Sequence, residues 1–194
     1  MEEENCRFQV ETAPSQELMK EGYRVVIYRT WRSIVNIALA IVCLGAAAYQ
    51  AYDALKRARL GWGDAWNNNI PYMIYFLVLA GFIIGRLIAA PGIGARKYMK
   101  RLAAVHGDAA ALKVTYSFAD DAIHSQSSTG QKVDTAYDQI ISVRETAHGI
   151  VLARKLNLFE VLDKETLQGG SLEDFRTFLQ EKMPNAKFSW KRRT

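Results

Sequence analysis

Two charge-free apolar stretches constrain this chain more than anything else in it. The first is residues 33–52, twenty positions with no charge, bounded by Arg32 and Asp53. The second covers residues 70–90 and carries no charge before Arg86. A helix needs about 20 predominantly apolar residues to cross a hydrocarbon layer of about 30 Å. Both stretches meet that length, so the sequence predicts a transmembrane helical hairpin. The mean hydropathy of −0.10 resembles that of a soluble protein only because it averages two unlike parts.

Charge separates those parts. Residues 1–101 hold thirteen Lys and Arg against eight Asp and Glu, and residues 102–194 hold twelve of each. The whole excess of +5 therefore belongs to the membrane half. Placed there, it reads as topology charge rather than a nucleic-acid footprint, and no nucleic-acid partner is expected. Residues 20–32 carry Lys20, Arg24, Arg29 and Arg32 against Glu21, and residues 86–101 carry Arg86, Arg96, Lys97, Lys100 and Arg101 with no acid. The loop at 53–69 has Lys56, Arg57 and Arg59 against Asp53 and Asp64. Positive-inside bias then puts both termini in the cytoplasm and the loop outside. Trp31 on the inner side, with Trp62, Trp66 and Tyr72 on the outer, is placed as an interfacial belt. An anionic-lipid site at Arg24, Arg29 and Arg32 is the alternative use of the inner charges.

Small residues suggest how the helices pack. Gly81 and Gly85 form a GxxxG pattern, and Gly45 and Ala48 lie on the first span. Such residues let helix backbones approach closely in lipid. The contact is either within the hairpin or between two copies, and the sequence leaves both open. Neither apolar core contains Asp, Glu or His, whereas proton and ion pathways use intramembrane ionisable groups. Transport by this chain alone is not expected.

Around the hairpin, residues 1–32 read as a short strand at 8–11 and an interfacial helix capped near Thr12. Residues 91–111 read as a basic helical linker starting where Pro91-Gly92-Ile93-Gly94 ends the second span. From residue 112 the texture changes to period two, with turns at Ala119–Ala122, Ser127–Gly130 and His148–Gly149. Short strands at this spacing argue an antiparallel sheet or open barrel. After Gly169-Gly170, Ser171 and Asp174 form a capping box. Leu172, Phe175, Phe178, Leu179 and Met183 then share one helical face up to Pro184. The predicted fold is membrane α+β, the hairpin joined to a pleckstrin-homology-like (PH-like) antiparallel barrel or sheet at 112–184. A C-terminal helix closes it, and a basic tail follows at 185–194.

Reactive constellations are sparse. Asp120-Asp121 sits where a tight turn is expected. His106, His124 and His148 are scattered, and Cys6 and Cys43 are too far apart in the pattern to build a zinc site. Ser125, Ser127 and Ser128 lack a nucleophile elbow. Gly169-Gly170 lacks the Lys-Ser/Thr of a phosphate loop. No Lys or Arg falls between Thr115 and Ser128, which disfavours inositol-phosphate recognition at the first hairpin, because phosphate needs charge-assisted partners. No catalytic residue, metal or cofactor is expected.

The order of these parts resembles the YcxB-like bacterial membrane proteins. The similarity is carried by the N-terminal strand and helix with Tyr23, Tyr28 and Arg29, by the two spans, and by a series of residues in the C-terminal domain. These are Phe118 with Asp120 to Ile123, Gly130, Tyr137 with Ile140, Val143 and Glu145, Gly149 to Leu152, Phe159 to Leu162 with Lys164, and Leu172 through Met183. Family members often carry Trp at the place of Tyr137 and Pro at that of Asp163. The resemblance implies a two-span membrane protein with a PH-like cytosolic domain and brings no catalytic residues with it. The expected function is a non-enzymatic interaction or scaffold module at the inner face of a bacterial membrane. Its partners would be the bilayer, a further protein and, through Gly81 and Gly85, a second copy. A sensor or accessory subunit is the alternative, and an enzyme the third.

Overall fold

The computed structural model describes residues 6–28, 30–58, 62–107, 112–155 and 158–191. Arg29 and Arg59, which entered the sequence reading, lie outside these residues, as do the side chains of Trp62, Asp64 and His106. The chain divides into two compact units: residues 28–90, and residues 1–27 together with 91–194.

The 28–90 unit is helical. Helix α2 runs over Trp31–Ala58, a short α3 over Trp62–Asn68, and α4 over Ile70–His106, the last extending beyond this unit. Two helical stretches, Trp31–Ala58 and Trp66–Val105, are long and apolar enough to cross a membrane. Only 17% and 6% of their apolar stretches are buried inside the protein. Ile41, Val42, Val78, Phe82 and Ile88 are all more than 60% exposed, so these are not core helices. They meet along Ala40 and Cys43 of α2 and Ala80 and Ile83 of α4, flanked by Phe76, Leu79 and Leu87.

That seam lies off the small residues singled out in the sequence. Gly45, Ala48, Gly81 and Gly85 are exposed, and a Cβ on any of the three glycines would meet open space. The close approach within the hairpin uses alanines and Cys43 instead. Asn69 is buried at the turn, where its amide donates to Gln50 Oε1 and Asp53 Oδ2, both at 2.9 Å. Arg57 Nε also donates to Asp53 Oδ2, at 2.8 Å.

Pro91 begins the part of α4 that belongs to the other unit, and the helix passes through it. Proline lacks the N–H that would bond the carbonyl four residues back, here that of Leu87. Tyr28 supplies a replacement donor, its hydroxyl lying 3.4 Å from Leu87 O. The helix stops at Gly107 instead, with φ of 80°. This is the left-handed conformation that commonly terminates helices, and the Gly107 N–H donates to Ala103 O at 2.9 Å.

The other unit is built on two four-stranded sheets. Strands β1 (Phe8–Thr12), β2 (Val114–Phe118), β3 (Ala122–Ser127) and β4 (Lys132–Ala136) pair antiparallel in that order. The second sheet has β5 (Ile140–Glu145), β6 (Gly149–Arg154), β7 (Phe159–Asp163) and β8 (Lys187–Ser189) in the order β7-β6-β5-β8. Neither sheet closes into a barrel. The N-terminal strand is an edge of the first sheet, with Phe8 opposite Phe118, so β1 belongs to the sheet unit. The expected tail contributes β8, parallel to β5. The turn expected at His148–Gly149 has Ala147-His148 at its centre, because Thr146 N–H donates to Gly149 O.

Helix α5 (Leu172–Lys182) starts with the predicted capping box: Ser171 Oγ accepts from Asp174 N–H, and Ser171 N–H donates to Asp174 Oδ2, both at 3.1 Å. It inserts Phe175, Phe178 and Leu179 among Phe8, Phe118, Ile123, Val143, Ile150, Leu152 and Leu162. The Phe118 and Phe175 rings meet edge to face at 4.9 Å. Tyr137 reaches Ala119 O at 2.6 Å with its hydroxyl.

Successive strand residues face opposite sides, and Gly149 through Ala153 of β6 are all buried. Ile150 and Leu152 face this core. Val151 belongs to a second cluster with Leu18 and Met19 of α1 (Gln16–Ile27). The apolar face of α1 therefore packs on β6 and β7, and its N-terminus is capped by Ser15, not Thr12 (Leu18 N–H to Ser15 Oγ, 3.1 Å). Gly22 permits this docking: a Cβ there would lie 2.4 Å from Phe159 Cε2.

Candidate functional site

Where α1 leaves the sheet, a cavity of about 330 Å³ opens. It is lined by Thr12 and Pro14, by Met19 and Tyr23 of α1, by Tyr98 on the C-terminal part of α4, by Val114 and Tyr116 of β2, and by Leu158, Phe159, Glu160 and Val161 at β7. The lining is mostly apolar with a few polar groups, and the size falls in the range of small-molecule sites. Tyr23 packs edge-on against Phe159 with ring centres 5.0 Å apart. Gly94 of α4 admits that tyrosine, since a Cβ at 94 would lie 2.9 Å from Tyr23 Cδ1.

Glu160 is the charged member. Arg154 Nη1 donates to its Oε1 at 3.0 Å, and Thr135 Oγ1 donates to the same oxygen at 3.4 Å. Arg154 Nη2 goes to Gln139 Oε1 at 2.7 Å. Glu160 Oε2 is buried and has no hydrogen-bond partner among the described residues. Burial raises the Glu160 pKa, and Arg154 and Thr135 only partly offset that rise. Burial, and next the Glu160 charge, push Tyr116 upward as well. The cavity thus sets tyrosine hydroxyls and the Glu160 carboxyl group among apolar walls.

The other polar groups do structural work on separate faces. Glu145 on β5 is almost fully buried and takes Arg176 of α5 on Oε2, with Lys164 Nζ 3.8 Å from Oε1. Asp120 binds Lys182 Nζ at 2.8 Å, tying the turn at 119–122 to the end of α5. His124 Nδ1 lies 2.7 Å from Asp134 Oδ1, with Asp121 Oδ1 3.7 Å from its Nε2. Ser125 Oγ donates to Val133 O. Among the described residues, no three His, Cys, Asp or Glu side chains are grouped to hold a metal ion.

Glu21 of α1 latches the helix onto the β5–β6 turn. His148 N–H donates to its Oε2 at 3.3 Å, and His148 Nδ1 lies 3.0 Å from Oε1. Burial alone would raise the Glu21 pKa, but hydrogen bonds with Thr146 and His148 outweigh it and hold the carboxyl below its usual range. A lowered acid pKa stabilises the fold above the unfolded value, about 4.3 for Glu, and that contribution is lost as pH falls through the folded value. Glu21→Gln is therefore expected to be less stable than the parent at pH 7, the gap closing below about pH 4. Denaturation midpoints at pH 7 and pH 3 measure it.

Trp31, Arg32, Trp66, Tyr72 and Arg86 are exposed on the helical unit. Arg24, Arg96, Lys97, Lys100 and Arg101 are exposed on the sheet unit. Sequence reasoning missed the cavity. Its components are single tyrosines and a glutamate drawn from elements far apart in the chain. Only Glu160, a charge amid the apolar run 158–162, and Gly94 offered a signal.

Residues 118–179, from the end of β2 into α5, match the family model described as YcxB-like protein. No curated protein and no solved structure matches the chain.

Proposed function

We propose, for a chain that is YcxB-like over residues 118–179, that it is a membrane-anchored, non-catalytic recognition module. In this reading α2 and α4 cross a bacterial plasma membrane, both termini are cytoplasmic, and the PH-like two-sheet domain presents a binding surface at the inner face. The observation that carries it is the exposed apolar surface along α2 and α4. Exposing Ile41, Val42, Val78, Phe82 and Ile88 to water would cost about 1.5–3 kcal/mol per side chain relative to burial, whereas lipid solvates them. The expected result is that the chain stays in the membrane pellet after extraction at pH 11 and is released only by detergent. Release into the alkaline supernatant would reject the anchor.

A sensor reading draws on one further observation. Helix α4 is continuous from Ile70 to His106, so the same helix that forms the hairpin also supplies Ala95 and Met99 to the cluster under α1. In this reading the hairpin would report on membrane state and the domain would relay it. Locking α1 to α4 with a Tyr23→Cys, Gly94→Cys disulfide should abolish such a response. An unchanged phenotype in the locked protein would dismiss this reading.

A further inference from the structure

We propose that the C-terminal part of α4 carries a docking face for the head groups of anionic phospholipids, built from Arg96, Lys97, Lys100 and Arg101. This rests on the membrane-anchor reading and adds to it a choice of lipid. All four side chains are exposed, and none has a hydrogen-bond or ion-pair partner among the described residues. At about 100° per residue, the four fall within an arc of about 140° on the helix. The opposite side carries Ala95, Met99 and Leu102. Ala95 and Met99 belong to the cluster under α1, and Leu102 is half-buried. The basic arc is therefore the side of α4 that the domain leaves free.

The charge there has one sign, since no Asp or Glu lies between Asp64 and Asp108. Unpaired guanidinium and ammonium groups make charge-assisted bonds to phosphate oxygens. Each Lys or Arg close to an anionic leaflet adds roughly fivefold in affinity. All four residues follow within eleven positions of Ala90, the last of the apolar stretch. A bilayer that holds this stretch sets its head groups within reach of their long, flexible side chains. Nucleic acid is the other polyanion with matching chemistry, but it uses a broad basic surface. Residues 102–194 hold twelve Lys and Arg against twelve Asp and Glu, so the excess charge stays on α4, next to the apolar stretch.

Thermophoresis of the full chain in maltoside micelles, labelled at the exposed Cys6, tests this with dioctanoyl phosphatidylglycerol and dioctanoyl phosphatidylcholine as probes. Phosphatidylglycerol is expected to bind at least about tenfold more tightly at low salt. The gap should shrink severalfold at about 1 M salt, where the Debye length is about 3 Å. The variant with Arg96→Gln, Lys97→Gln, Lys100→Gln and Arg101→Gln should lose the preference. A second variant, with Lys132→Gln, Lys155→Gln, Lys187→Gln and Lys191→Gln, changes the charge equally at other exposed positions and should keep it. The salt series on the parent chain gives an answer even if the α4 variant folds poorly. Equal affinity for the two lipids, a gap indifferent to salt, or equal losses in both variants would overturn the proposal. So would an RNA oligonucleotide that binds more tightly than phosphatidylglycerol, which would make nucleic acid the occupant. Any of these results with the parent chain still pelleted at pH 11 overturns the lipid choice alone, whereas release at pH 11 overturns the anchor reading as well.

Discussion

Glu145→Ala is expected to lower the stability of the sheet domain by about 3 kcal/mol or more, the range for removing one partner of a buried ion pair. Glu145 keeps only 4% of its side-chain surface exposed, and its partners Arg176 and Lys164 keep 17% and 22%. The alanine variant leaves the Arg176 guanidinium buried against Trp190 without its counter-charge. It also removes an acceptor for the Lys191 backbone N–H, so β8 and α5 should loosen from β5 together. Against a total of about 5–15 kcal/mol for an ordinary domain, this is a large fraction. A thermal melt of the full chain should show a fall of roughly 10 °C or more, at about 4 °C per kcal/mol. Glu145→Gln, which keeps the shape and one acceptor, should lose less.

The second large effect is expected at Gly169. Its φ is +97°, and a Cβ there would stand 2.2 Å from the Arg7 carbonyl oxygen and 3.1 Å from Phe8 Cα. Alanine cannot be accommodated without moving the backbone before β1. That movement breaks the pair Gln9 N–H to Gln168 O (3.1 Å) and Gln168 N–H to Gln9 O (2.8 Å), and it withdraws Phe8 from between Phe175 and Phe178. Gly130 provides the comparison. It has a φ of +86° with open space around its Cβ position, so Gly130→Ala carries only the backbone penalty, about 1–2 kcal/mol. Gly169→Ala should exceed it by at least about 2 kcal/mol, within the range for disrupted cores. Equal losses, measured by chemical denaturation, would mean that β1 contributes little to the domain.

These two sites show what the sequence carried and what it did not. Local signals were legible. The charge-free runs located α2 and the first part of α4, period-two texture located β2 through β7, and Ser171 with Asp174 located the start of α5. Long-range pairing was not. Nothing near Phe8 indicates that it will oppose Phe118, because antiparallel register across a hundred residues is decided by packing rather than by local preference. The short Lys187–Ser189 strand is too brief to show a period. Pro91 marks where the helical unit gives way to the other unit, but not a helix end, since α4 continues through it. The GxxxG pattern reports small residues without reporting which face they occupy, and Gly81 and Gly85 lie off the seam between α2 and α4. The cavity was hidden because each contributor is ordinary alone, and only the fold sets Tyr23, Tyr98, Tyr116 and Glu160 around one space.

The recognition-module account requires that the N-terminal strand, being part of the two-sheet domain, share its side of the membrane, with the α2–α4 connection on the other. Cys6 is exposed and Cys43 is buried in the hairpin, so a membrane-impermeant maleimide reads Cys6 alone. In sealed spheroplasts Cys6 should stay unlabelled until the membrane is permeabilised, while a Gly63→Cys variant labels before and after. Labelling of Cys6 in sealed spheroplasts would contradict the account at its centre.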